Sequence, residues 1–140
     1  MPGPAAPSRR TVLRGAAAVP VAGAVVAACS PGERSDPTPP AAPVDLGGEK
    51  DVGPGESRLY RDERVVVSRS AEGSLRAYSA VCTHGGCPMT KLEGAELTCF
   101  CHGSRFDATT GEVLRKPATV ALPELPVRVE RGRIVAGPEA

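Results

Sequence analysis

The chain has no tryptophan and only two phenylalanines and two tyrosines in 140 residues, which excludes a large aromatic core. No segment carries an apolar period of 3.6 over three turns, so long amphipathic helices are excluded as well. The apolar run from Gly15 to Ala28 is shorter than the roughly 18–20 residues a spanning helix needs. There is no internal repeat. Basic residues form no stripe with interleaved aromatics, which argues against nucleic acid as a partner. The formal charge of +1 hides two regions. Residues 1–28 hold Arg9, Arg10 and Arg14 and no acid, and the rest has 14 basic against 16 acidic residues, a net of −2.

What is plentiful is glycine (16) and proline (15), the composition of a loop-rich β domain. Short β-like runs recur with turn residues between them. Ser57 to Arg61 and Arg64 to Arg69 flank Asp62-Glu63, and Leu75 to Val81 follows a turn over residues 71–74. Val127 to Glu130 and Arg133 to Val135 flank Arg131-Gly132. Each pair reads as a hairpin. The expectation is an all-β, antiparallel domain over residues 44–137. A domain of that size buries about 60–65% of its unfolded surface and gains from a metal or disulfide staple.

The first 43 residues read as an address and a tether. Ser8-Arg9-Arg10-Thr11-Val12-Leu13-Arg14 ahead of a short apolar run makes residues 1–28 an export signal, similar to twin-arginine signals that export folded, cofactor-loaded proteins. Val26-Ala27-Ala28-Cys29 resembles a bacterial lipobox, whose cysteine is acylated and becomes the mature N-terminus. Acyl chains contribute about 0.8 kcal/mol per buried CH₂ and would anchor the protein without a spanning helix. A plain cleavage site with a stray thiol and an uncleaved anchor are the alternatives. Ser30 to Pro43 holds five prolines and has nothing to bury, so residues 29–43 form an extended spacer. These features place the protein outside the cell membrane's inner face, on the outer face of a bacterial cytoplasmic membrane.

The chemistry lies in two segments, Cys82-Thr83-His84-Gly85-Gly86-Cys87 and Cys99-Phe100-Cys101-His102-Gly103-Ser104-Arg105-Phe106. C-x-H followed by C-x-x-H offers two thiolates and two imidazoles, enough for one metal centre. Zinc in a Cys₂His₂ site is the commonest use of such ligands. Zinc leaves Cys87 and Cys101 unexplained.

On CTHGGC and CFCHGS the chain resembles the Rieske iron–sulfur family, loosely over residues 44–137. The resemblance implies a 2Fe–2S cluster, with Cys82 and Cys99 on one iron and His84 and His102 on the other, at an exposed tip. It implies a disulfide between Cys87 and Cys101 joining the two loops. Ser104 matches the hydroxyl that donates to a cluster sulfide in high-potential members. Phe106 stands where those members have tyrosine. Arg115-Lys116-Pro117-Ala118 lies where the family has a proline loop over the cluster, and Pro117 is read as part of that shield. The two cations there either favour an acidic partner or belong to an ordinary solvated turn.

The resemblance also implies function. The chain is expected to be a membrane-tethered electron carrier with redox proteins as partners. Its alternative is the iron–sulfur subunit of a quinol–cytochrome c oxidoreductase; an arsenite-oxidase-like small subunit or a dioxygenase-type ferredoxin are further readings. The disulfide pair disfavours the ferredoxin. The lipobox and proline spacer stand where quinol-complex subunits usually have an uncleaved transmembrane anchor and hinge. A redox-inert zinc lipoprotein is the reading from another class.

Overall fold

The computed structural model describes residues 38–140. The expected export signal, the expected lipidation site Cys29 and the first part of the expected spacer lie outside the described residues. Eleven strands follow: β1 (Val44–Gly48), β2 (Ser57–Tyr60), β3 (Val65–Arg69), β4 (Leu75–Ser79), β5 (Lys91–Glu93), β6 (Glu96–Thr98), β7 (Arg105–Asp107), β8 (Val113–Arg115), β9 (Glu124–Leu125), β10 (Val127–Glu130) and β11 (Arg133–Ala136). One 3₁₀ turn, Glu49–Asp51, is the helical content among the described residues. No helix there is long and apolar enough to cross a membrane.

All pairings are antiparallel, in three sheets ordered β1-β11-β10, β2-β3-β4-β9 and β5-β6-β7-β8. The expected hairpins form where the turn residues placed them. Between β10 and β11, Arg131 and Gly132 both take positive φ (50° and 76°), the conformation a tight two-residue hairpin needs to match strand twist. Between β2 and β3, Arg64 takes φ 55° and its N–H returns to the Arg61 carbonyl at 3.3 Å.

β3 explains the architecture. Its three consecutive valines are all fully buried, instead of alternating in and out. Val65 and Val67 face a core with Leu46, Ala77, Leu125, Ile134 and Ala136. Val66 points the other way, into a second core with Tyr78, Met89, Leu97, Cys82, Cys99 and Phe106. A strand covered on both faces reads as a continuous apolar run. The β3–β4 pair is thus the wall between a base and a smaller subdomain, which is inserted between β4 and β9 and carries both cysteine segments.

Polar bonds fasten the insert to that wall. Buried Ser68 on β3 donates to the Ala108 carbonyl at 2.6 Å and lies 2.7 Å from the Ser57 hydroxyl. Gly111 closes the β7–β8 turn at φ 75°, and a Cβ there would stand 2.8 Å from the Tyr78 ring. Only glycine fits.

Candidate metal centre

The two cysteine segments fold into loops on the same frame. In the first, the Cys82 N–H bonds to the Cys87 carbonyl and the Gly86 N–H returns to the Cys82 carbonyl, both at 2.8 Å. In the second, the Cys99 N–H bonds to the Ser104 carbonyl at 2.9 Å and the Gly103 N–H returns to the Cys99 carbonyl at 3.0 Å. Gly86 and Gly103 both have positive φ, 73° and 79°, so each loop turns back on itself at a glycine. The C-x₃-G spacing common to both loops is the sequence signal of this correspondence.

That frame sorts the four candidate ligands by depth. Cys82 and Cys99, first in their loops, are 2% and 1% exposed and form no disulfide. His84 and His102 are exposed, and their ring centroids stand 4.8 Å apart, edge to face at 81°. Two sulfurs lie inside and two imidazoles outside. The Cys87–Cys101 disulfide ties the loops together, with Cα atoms 6.6 Å apart. The Cys99 sulfur lies within 4.8 Å of both disulfide sulfurs, which are consumed by their own bond and leave Cys99 as the free thiol of that group.

The electrostatics of the inner pair fit a metal. Burial pushes the Cys99 thiol up; the backbone N–H groups of Cys101 and His102 hydrogen-bond to its sulfur and oppose this, and the nearby Cys82 thiol raises it further. Without a cation the Cys99 side chain is a thiol held in an apolar core. A bound metal reverses that logic, because its charge deprotonates a coordinating thiol outright. The two N–H donors on Cys99 are then already placed for a thiolate.

A third segment closes over both loops. Thr83 donates to the Val120 carbonyl at 2.6 Å, and the buried Ser104 hydroxyl accepts from the Ala118 N–H at 3.0 Å. Pro117 itself is exposed in the turn after β8, and Ala118 packs in the core with Cys82 and Cys99. Phe106, fully buried on β7, belongs to the same core. Sequence reasoning missed Thr83 and Ala118, whose partners lie 37 and 14 residues away.

Residues 42–126 match the family model of the Rieske [2Fe-2S] domain. The chain belongs to this family. Rieske relatives include the cytochrome b6-f complex iron-sulfur subunit of Chlorobaculum tepidum, 35% identical over 106 residues, or 69% of this chain and 58% of that one. The cytochrome bc1 complex Rieske iron-sulfur subunit of Corynebacterium efficiens is 42% identical over 82 residues, covering 53% of this chain and 20% of that one. The chain therefore spans about three-fifths and one-fifth of the lengths of these two relatives. Among solved structures, the plasma membrane Rieske protein PetC3 of Synechocystis superposes with a TM-score of 0.51 and 30% identity, covering 66% of this chain and 97% of that one. The chain carries a Rieske domain with a 2Fe–2S cofactor, as CTHGGC and CFCHGS led one to expect, and zinc is set aside.

Proposed function

We propose that this Rieske domain is a one-electron carrier tethered to the outer face of a bacterial cytoplasmic membrane. Cys82 and Cys99 would hold one iron of its cluster, and His84 and His102 the other. The observation that carries the reading is the depth order of the four side chains, with thiols in the core and imidazoles at the surface. Electrons exchange where the histidine edge meets a partner. The cluster supplies a one-electron couple at about −150 to +300 mV, against about −400 mV for all-thiolate plant-type ferredoxins. Two imidazoles in place of two thiolates leave the oxidised centre formally neutral, which eases electron entry.

Each remaining residue has a task in this reading. The Cys101 and His102 N–H groups stabilise thiolate charge at Cys99. Ser104 holds the Ala118 segment as an acceptor and keeps its own proton for a cluster sulfide. Phe106, Met89 and Ala118 exclude water from the sulfur side. Cys29, acylated, and the proline spacer hold the domain at the membrane.

A second reading rests on the two relatives named above, both subunits of cytochrome complexes. In it the same site oxidises quinol within a quinol–cytochrome c oxidoreductase. One preparation separates the readings. The full chain is expressed with its signal and detergent-extracted from membranes, with iron, sulfide and paramagnetic resonance measured. The carrier reading expects two irons per chain, release of the protein from membranes in Cys29→Ser, and purification without a b-type haem. Stoichiometric co-purification of a b-type cytochrome would decide for the complex.

A further inference from the structure

The subdomain holding the cysteine loops carries four cations, and the fold spends two of them. Lys91 pairs with Glu93 and Arg105 with Glu96, both at 2.9 Å. Arg115 and Lys116 are exposed and enter no ion pair among the described residues. Arg115 also stands directly across the β7–β8 ladder from Arg105. Like charges in that position disfavour a sheet, and of the two only Arg105 has an anionic partner, Glu96.

The location gives these cations a use. Two residues after Lys116, the Ala118 N–H is bonded to Ser104 in the second loop, and the Val120 carbonyl is bonded to Thr83 in the first. Apolar side chains are left outside on the same two loops and their cover: Phe100 is 69% exposed and Val120 63%. The Lys91 ammonium stands 5.9 Å from the Phe100 ring centroid. Phe100 lies two residues before His102 in sequence, and Thr83, the partner of Val120, adjoins His84. Exposed imidazoles and apolar side chains with cations beside them have the anatomy of a protein interface, apolar at the centre and charged at the rim.

We propose that Arg115 and Lys116 dock an acidic redox protein, one whose own cofactor edge is surrounded by carboxylates. This rests on the carrier reading above and names its partner's chemistry. An anionic membrane surface is the weaker occupant, because lipid recognition of this kind uses clusters of four to eight cations and here there are two. Rim charges of this kind act mainly on the encounter rate and its salt dependence.

The test uses the full chain, reduced, with two protein oxidants that share one haem: native horse-heart cytochrome c, which is basic, and its succinylated form, which is acidic. One electron passes from the reduced 2Fe–2S centre to the ferric haem, which becomes ferrous. With the acidic form the second-order rate should fall as salt passes about 0.15 M, where the Debye length is about 8 Å. Arg115→Glu with Lys116→Glu should lower that rate roughly tenfold at low salt. Their visible and paramagnetic spectra should not change. Binding of the oxidised protein to immobilised succinylated cytochrome c should weaken in parallel, a readout that needs no electron transfer. The control is Lys50→Glu with Arg61→Glu, an equal charge change at exposed positions outside the insert. Rates and binding indifferent to the Arg115/Lys116 reversal, or lowered equally by the control, overturn the docking site while leaving the carrier reading intact. So does binding of the Cys29→Ser chain to anionic phosphatidylglycerol vesicles that depends on these two cations while the oxidant rates do not. A chain that holds no cluster overturns the carrier reading, and the binding measurement then judges the docking site alone.

Discussion

The Ser104 hydroxyl accepts a hydrogen bond from the Ala118 N–H at 3.0 Å, and its own proton pairs with no acceptor among the described residues. Both groups are buried. A buried donor left over beside Cys99 is what a cluster sulfide would accept from. Ser104→Ala should lower the midpoint potential by tens of millivolts, because the bond favours the more negative reduced state. It should also strand the Ala118 N–H at about 1–3 kcal/mol. Voltammetry and thermal melts on one preparation check both. A lowered melt with an unchanged potential would leave Ser104 a structural role alone.

Phe106→Tyr tests the neighbouring wall. The ring is fully buried in one core with both inner cysteines, so an added hydroxyl has no water to turn to. A donor to a thiolate contributes about 1.5 kcal/mol, which for one electron is about 60 mV. The expected shift is upward by some tens of millivolts. A downward shift measured at one pH contradicts the hydrogen-bond account of this wall.

Removing the disulfide in Cys87→Ser with Cys101→Ser should leave iron bound but labile. Residues 87 and 101 are 14 apart in sequence, and closing such a loop contributes about 3 kcal/mol in the chain-entropy model. For a small domain that is a large share of total stability. Iron release to a chelator should quicken markedly, with a lower melting temperature. Thiol labelling of the denatured native protein should find neither cysteine free.

Asp107 gives the fold an acid limit. Partial burial raises its carboxyl, but the Thr109 hydroxyl and the Thr109 and Thr110 N–H groups win, and its pKa is held below the usual value. A depressed carboxyl stabilises the folded state above its unfolded pKa of about 3.9, and that contribution is lost as pH falls through the folded value. At neutral pH, Asp107→Ala should be less stable than wild type by about 1 kcal/mol, on the scale of a lost cap. The gap should close below about pH 4. A gap constant across that range would mean the hydrogen bonds to Asp107 carry no charge-dependent stability.

The long strands and the cysteine chemistry were legible for different reasons. β2, β3, β4, β10 and β11 have four or five residues each, bounded by turn residues such as Arg131-Gly132, so pattern alone locates them. β5 to β8 have three residues each and β9 two, too few to show a period. β5 to β8 exist because the β3–β4 wall offers a second apolar face through Val66 and Tyr78, and β9 because it adds to the edge of that wall at β4. Cys82, His84, Cys99 and His102 stand out by residue type. Thr83 to Val120 and Ser104 to Ala118 do not, since such bonds depend on the folded path and not on spacing.

The histidines carry the central claim, and protein-film voltammetry of wild type against His84→Cys and His102→Cys tests it most directly. Wild type should show a one-electron wave within about −150 to +300 mV. Each variant should either lose the cluster spectrum or move far toward the all-thiolate range near about −400 mV, because one neutral imidazole has become an anionic thiolate. Unchanged spectra and potentials in both variants would contradict the account, since His84 and His102 would then not be ligands.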